Sequence, residues 1–272
     1  RHRSGPVYLW YEIISPRYLR QHTDKPAVPG IDNRDVVVDS MEELTWRLRG
    51  LCGLKNALGT RIVAIGGADG WGPNGGQAPE HSREKWKLDI RTVAYPELGK
   101  LIKSAMADDA AVSDARRRMA AYLDDKSVEL KTDKPFVENA FLLEGIFRQI
   151  MARAEAGAIT VNNCMGTIMP MSKTTACLTL SLLNDAGYMA FCESDFVVIP
   201  SGILLSSISG RPHFLNDPTY PHDGIITLAH CSAPRRMNGR DLEPVKLLTH
   251  FESDYGVAPK VEMRKGQKVT MV

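Results

Sequence analysis

Apolar and polar positions along the chain follow a repeating order of short β-branched runs and amphipathic helical stretches, from about residue 35 to 231. Arg34-Asp-Val-Val-Val-Asp39 predicts a short strand. Ser40-Met-Glu-Glu43 follows as a capping box and starts a helix whose Leu44, Leu48 and Leu51 recur at helical spacing. Arg61-Ile-Val-Ala-Ile-Gly-Gly67 is a continuous apolar run closed by paired glycines, the pattern of a strand buried in a parallel sheet. The loop after it, residues 68–77, is too rich in glycine for regular structure. At the carboxyl end of a strand such a loop can approach a ligand.

A short polar helix is expected at 82–88, a strand at 90–95, and a helix-rich stretch over 96–156. The charged run Asp114-Ala-Arg-Arg-Arg118 within it reads as a solvated helix face. The alternation then resumes with a strand at 158–163, a helix at 174–185 closed by Gly187, a strand at 188–192 ending at Glu193, and a helix at 197–209 despite Pro200 and Gly202. A strand at 212–216 is expected to deliver Asp217, and another at 225–229 to deliver His230. Further strands are expected at 245–250, at 261–264 and from 269 onward. The fold class implied is α/β, a doubly wound, mostly parallel sheet followed by a mostly β segment, with the boundary near 195–210. Residues 1–34 then form an N-terminal connecting segment, 35–200 the α/β domain and 201–272 the start of the β domain. No internal repeat or low-complexity segment interrupts this order.

Composition narrows the possible functions. With 272 residues and 43% hydrophobic positions there is enough material for an ordinary buried core, which excludes disorder, collagen and coiled coil. Lys and Arg number 34 against 32 Asp and Glu, a net charge of +2 without long like-charge blocks, so neither nucleic acid nor an acidic membrane surface is an expected partner. A small molecule or another copy of the chain is expected instead. Five cysteines, Cys52, Cys164, Cys177, Cys192 and Cys231, are odd in number and widely spaced with no CxxC pair, which suggests reduced thiols in a cytoplasmic protein. The longest apolar run, 196–205, is broken by Pro200 and Gly202 and is too short to span a membrane, and no signal peptide is evident. The chain opens on Arg1 and ends inside an expected strand, so a piece of a longer protein is expected.

Ligand sites in open parallel sheets lie outside the carboxyl ends of the strands. Three ionisable residues fall at such expected positions, Glu193, Asp217 and His230, each after an apolar run. Two carboxylates and one imidazole suit a divalent ion that keeps open positions for substrate. Oxygen-rich coordination with one nitrogen favours Mn²⁺, with Mg²⁺ or Co²⁺ also compatible. Each residue also has an ordinary structural role available. Glu193 could start the next helix, Asp217 before Pro218 could open a turn, and His230 could be a core histidine bonded to a carbonyl. The spacings of 24 and 13 residues carry little information alone. The coincidence of three compatible ligand types at strand ends is what favours a site.

The run Thr175-Ala-Cys-Leu-Thr-Leu-Ser-Leu-Leu-Asn-Asp-Ala-Gly-Tyr-Met-Ala-Phe-Cys-Glu-Ser-Asp195, then Pro212-His-Phe-Leu-Asn-Asp217, then Leu228-Ala-His-Cys-Ser-Ala-Pro234, resembles the L-fucose isomerase-like family, whose superfamily includes L-arabinose isomerases. The resemblance covers about residues 158–234, with the remainder similar in layout more than in wording. It implies that Glu193, Asp217 and His230 bind a divalent ion, usually Mn²⁺, and that an aldose is converted to its ketose through an ene-diol. It also implies a protomer of three domains, the last containing a β-barrel, of which this chain would be the second and the start of the third. A homo-oligomer, trimer or hexamer, is implied as well.

The chemistry suits these residue types. Moving a proton between C2 and C1 of a sugar needs a base, an acid and stabilisation of ene-diolate charge. Glu193 is the expected main base, Asp217 its acid partner and His230 a neutral ligand. Lesser candidates for the substrate pocket are Trp71, Asn162, Asn163, Cys164, His222 and Asp223, with Asp195 behind Glu193 or as a helix-start acid. The pair Arg235-Arg236 could hold a phosphate or sulfonate on a modified sugar. Two other readings stay open at this point: a lyase or epimerase using the same ene-diolate, and a sugar-binding or structural protein without activity.

Overall fold

The structure, a computed structural model, describes residues 40–218 and 220–272. The strand expected at 34–39 lies outside the described residues. Internal contacts divide the chain into two units, residues 1–52 and 53–272. Of the first, only residues 40–52 are described, the opening turns of helix α1 (Met41–Ala57). Ser40 caps this helix, its hydroxyl accepting from the Glu43 N–H at 3.1 Å. The Glu43 carboxylate turns to Arg47 one turn on, at 2.6 Å, instead of reaching back to complete the capping box.

Helix α1 buries a different face from the one its leucines suggest. Leu48 and Leu51 are 50% and 64% exposed, while Gly53 and Ala57 are buried. A Cβ at Gly53 would sit 2.3 Å from Ile208, so close backbone approach at small residues replaces packing through the leucine stripe.

In chain order the elements continue as β1 (Arg61–Ile65), α2 (Ala78–Lys85), β2 (Asp89–Val93), α3 (Tyr95–Met106), α4 (Asp109–Leu123) and β3 (Val128–Leu130). After these come α5 (Lys134–Ala154), β4 (Ala158–Val161), α6 (Met169–Ser172), α7 (Cys177–Asp185), β5 (Met189–Phe191) and α8 (Ile199–Ser209). Four short strands close the described chain, β6 (Asp217–Pro218), β7 (Leu228–Ala229), β8 (Val245–His250) and β9 (Tyr255–Val261).

The protein is α/β, with a parallel four-stranded sheet in the order β2-β1-β4-β5 and a separate mixed sheet β3-β8-β9. Alternation along the central strands separates two cores. Val63, Ile65, Ile159, Val161, Ala190 and Cys192 face the helices α3, α4, α5 and α7. Ile62, Ala158 and Phe191 face the other side, where Ala57, Ala78, Ile199 and Ile203 of α1, α2 and α8 cover them. Covering both faces is why β4 is buried at every position, and each large apolar side chain so buried contributes roughly 1.5–3 kcal/mol.

The predicted strand at 212–216 is not present; that stretch is irregular. The free edge of β5, where a further strand would have paired, is occupied by side chains. The Asn184 amide brackets Ala190, accepting from its N–H at 2.9 Å and donating to its carbonyl at 2.8 Å. His213 adds Nε2 to the same carbonyl at 3.2 Å and stacks on Phe191. These bonds satisfy the backbone groups that a fifth strand would need.

The expected strand at 225–229 contracts to Leu228–Ala229, which pairs antiparallel with Asp217–Pro218 as a two-stranded ribbon. The strand expected at 261–264 ends at Val261, having begun at Tyr255, and residues from 269 onward are not a strand. β8 is joined to β3 as well as to β9, which ties the C-terminal hairpin to the segment between α4 and α5. Among the described residues no helix is long and apolar enough to cross a membrane.

Candidate metal centre

Glu193 stands two residues beyond β5, in a turn with left-handed backbone at two consecutive non-glycine positions, φ 65° at Glu193 and φ 50° at Ser194. Such conformations cost about 1–3 kcal/mol each and persist only where surrounding bonds enforce them. Here the bonds are identifiable. Thr160 lies across from Phe191 in the β4–β5 register, and its Oγ1 accepts from the Ser194 N–H at 3.1 Å. The Ser194 carbonyl accepts from Asp69 N–H at 3.2 Å, and the Asp69 carbonyl accepts from Phe196 N–H at 3.0 Å. Asp195 Oδ1 accepts from both Trp71 N–H and Val197 N–H at 3.0 Å. The glycine-rich loop is therefore laced to the Glu193 turn.

Asp217 and His230 reach the same place by another route. The β6–β7 ribbon sets Asp217 opposite Ala229, one residue before His230. The His230 side chain is 3% exposed; its Nδ1 lies 2.9 Å from Ser232 Oγ and its Nε2 lies 3.7 Å from Glu193 Oε1. In the tautomer protonated at Nδ1, the Ser232 hydroxyl accepts that proton's bond and leaves the Nε2 lone pair toward the carboxylates. One ligand atom from each of Glu193, Asp217 and His230 lies within 4.8 Å of the others. An ion held at roughly 2–2.5 Å from each donor requires donor separations below about 5 Å, so the donor set and its spacing fit a hard divalent cation. Partial desolvation raises the Asp217 pKa, opposed by His230 and reinforced by Glu193, Glu252 and Asp195. This concentration of acids is relieved by bringing in positive charge.

Only Glu193 follows a strand of the parallel sheet. Asp217 and His230 do not sit at carboxyl ends of parallel strands as expected; the antiparallel ribbon brings them in instead.

The lesser candidates separate. Asp195 starts the approach to α8 and anchors the glycine loop. Trp71 is 64% exposed on that loop. Asn162 and Asn163 shape the turn after β4, where the Asn162 carbonyl accepts from the Tyr95 hydroxyl and Asn163 Oδ1 accepts from Gly166 N–H. Cys164 Sγ accepts from Ala176 N–H, and burial pushes its thiol up to about 12. His222 and Asp223 belong to an exposed turn closed by His222 and Ile225.

Arg235 is no anion-binding loop residue. It is fully buried, paired with Asp125 at 2.9 Å, and donates to Ser127 Oγ and the Glu243 carbonyl. Arg236 is tied through its N–H to Asp185. In the 114–118 run, Arg116 and Arg117 are exposed, whereas Arg118 turns inward and, with Arg148, holds the buried Glu144 carboxylate. A surface depression between α4 and α5, lined by Arg116, Met119, Lys134 and Glu138, contains none of the candidate ligands.

No protein-family model matches the chain, and no curated protein matches it.

Proposed function

We propose that this chain is a metal-dependent aldose–ketose isomerase acting on a sugar or sugar derivative through an ene-diol intermediate, in the cytoplasm and as a homo-oligomer. The convergence of Glu193, Asp217 and His230 within 4.8 Å, from the turn after β5 and the two strands of the ribbon, carries this reading. The resemblance of the same three segments to the L-fucose isomerase-like family supports it. Glu193, Asp217 and His230 would hold the ion, with Mn²⁺ the preferred occupant and Mg²⁺ or Co²⁺ alternatives. When bound, the ion supplies Lewis acidity toward the sugar's O1 and O2.

The protein groups divide the remaining work. Glu193, fixed by its laced turn, takes the proton from C2 of the aldose and returns it to C1 of the ene-diol. Asp217, on the exposed ribbon, supplies a proton to the carbonyl oxygen O1 and recovers one from the O2 hydroxyl as the ketone forms. His230, held by Ser232, keeps its orientation.

The test is isomerisation of a panel of aldoses with added Mn²⁺, alongside Mn²⁺ binding followed by electron paramagnetic resonance. Glu193→Gln is expected to lower turnover roughly 10²–10⁴-fold, the usual contribution of a positioned base. Turnover undiminished in that variant would refute the mechanism. Tight Mn²⁺ binding without isomerisation or elimination of any sugar would favour a binding protein.

A further inference from the structure

A second donor cluster adjoins the first and differs from it in chemistry. Cys177 opens α7, Cys231 directly follows His230, and His250 closes β8. One ligand atom from each lies within 4.8 Å of the others. Cys177 and His250 are 1% and 5% exposed, and both thiols are free. The Cys231 sulfur also lies 3.8 Å from His230 Nδ1, so the two clusters adjoin through consecutive residues.

The fold explains why these three meet. Inward positions of β8 alternate through Val245 and Leu247, and an unbroken strand would next turn Thr249 inward. A register shift between Leu248 and His250 moves the pattern by one residue and buries His250 instead. The hairpin then presses against the start of α7. Gly256 has φ 69°, and a Cβ there would come within 2.5 Å of Thr175 N. Thr175 Oγ1 donates to the Val257 carbonyl at 2.9 Å and accepts from Val257 N–H at 3.2 Å. Cys231 is delivered by the segment that Ser181 anchors through the Ala233 carbonyl at 2.7 Å. A bulge, a close-approach glycine and two buried hydroxyls making three hydrogen bonds thus aim two sulfurs and an imidazole at one point.

We propose that Cys177, Cys231 and His250 form a second metal site, for a thiophilic ion of the Zn²⁺ class, separate from the oxygen-rich site. Two thiolates and an imidazole are soft to borderline donors that select Zn²⁺ over Mn²⁺, the reverse preference of Glu193 and Asp217. On binding, each S–H bond is replaced by a sulfur–metal bond and the two protons pass to solvent. The ion would pin the β8–β9 hairpin and α7 to the chain at Cys231 and so fix the neighbouring imidazole of His230. This site stands whether or not the isomerase reading does.

Co²⁺ titration of the reduced wild-type protein tests it. The expected result is one equivalent giving the thiolate-to-cobalt charge-transfer absorption of a sulfur-ligated ion. The band should disappear in a Cys177→Ala/Cys231→Ala double variant and persist in a Glu193→Gln/Asp217→Asn double variant. Added Zn²⁺ should bleach the wild-type band while excess Mn²⁺ leaves it, a readout that does not depend on any variant folding. Absence of the band in wild type, its survival without both cysteines, or equal bleaching by Mn²⁺ would overturn the proposal.

Discussion

Thr160→Val tests how the Glu193 turn is held. The substitution keeps the β-branched shape that β4 favours and removes only the hydroxyl. Thr160 is fully buried, so packing is preserved while the Ser194 N–H loses its acceptor. A buried N–H left without a partner costs about 1–3 kcal/mol. The two left-handed residues beside it already store about 1–3 kcal/mol each, which the lacing must outweigh. Unfolding should therefore become easier by about 2 kcal/mol, a drop of roughly 4–8 °C in thermal midpoint for a domain of this size. The same relaxation should draw the Glu193 carboxylate away from His230. Mn²⁺ affinity should fall by about tenfold or more, the equivalent of roughly 1.4 kcal/mol, as measured by paramagnetic resonance of free Mn²⁺. A midpoint unchanged to within about 1 °C would mean that Thr160 does not hold the turn. A normal midpoint loss with unaltered Mn²⁺ affinity would mean that the turn does not position the ligand.

Two further predictions concern charge in the core. Burial lowers the His213 pKa from 6.5 to about 4, so the folded state takes up its proton later than the unfolded chain does. Stability from this residue is complete above pH 6.5 and is lost as pH falls from 6.5 to about 4, by about 3 kcal/mol in all at roughly 1.4 kcal/mol per pH unit. Urea unfolding across that range should show the slope in wild type and lack it in His213→Phe; an equal slope in both would contradict the assignment. The Ser127 hydroxyl and N–H, with Arg235, hold the Asp125 pKa down to about 2. Asp125→Ala removes the carboxylate paired with the fully buried Arg235 guanidinium and should cost about 3 kcal/mol in urea unfolding. A loss below about 1 kcal/mol would show that the Ser127 and Glu243 oxygens suffice.

Much of the fold is legible in local pattern because local pattern is what the parallel sheet uses. The runs at 61–65, 158–161 and 189–191 are apolar on both faces, and a strand covered by helices on two sides needs no partner information to be recognised. Glu193 belongs to the same category, since it stands two residues beyond such a run. Other parts depend on distant residues. The stretch at 212–216 has an apolar core much like a strand, yet Asn184 and His213 satisfy the edge it would have joined. Arg235 looks like a free loop cation until Asp125, 110 residues away, is seen beside it.

The α/β class and the residue types from which a hard cation site can be built are readable from isolated stretches of chain, because hydrophobic periodicity and ligand chemistry are properties of single segments. The route by which Asp217 and His230 arrive, through a two-stranded ribbon, emerges from the folded arrangement. The meeting of Cys177, Cys231 and His250 emerges from it too. That second cluster depends on a one-residue register shift in β8 and on backbone contact at Gly256, and the pairing of strands sets both, not the order of residues within any one of them.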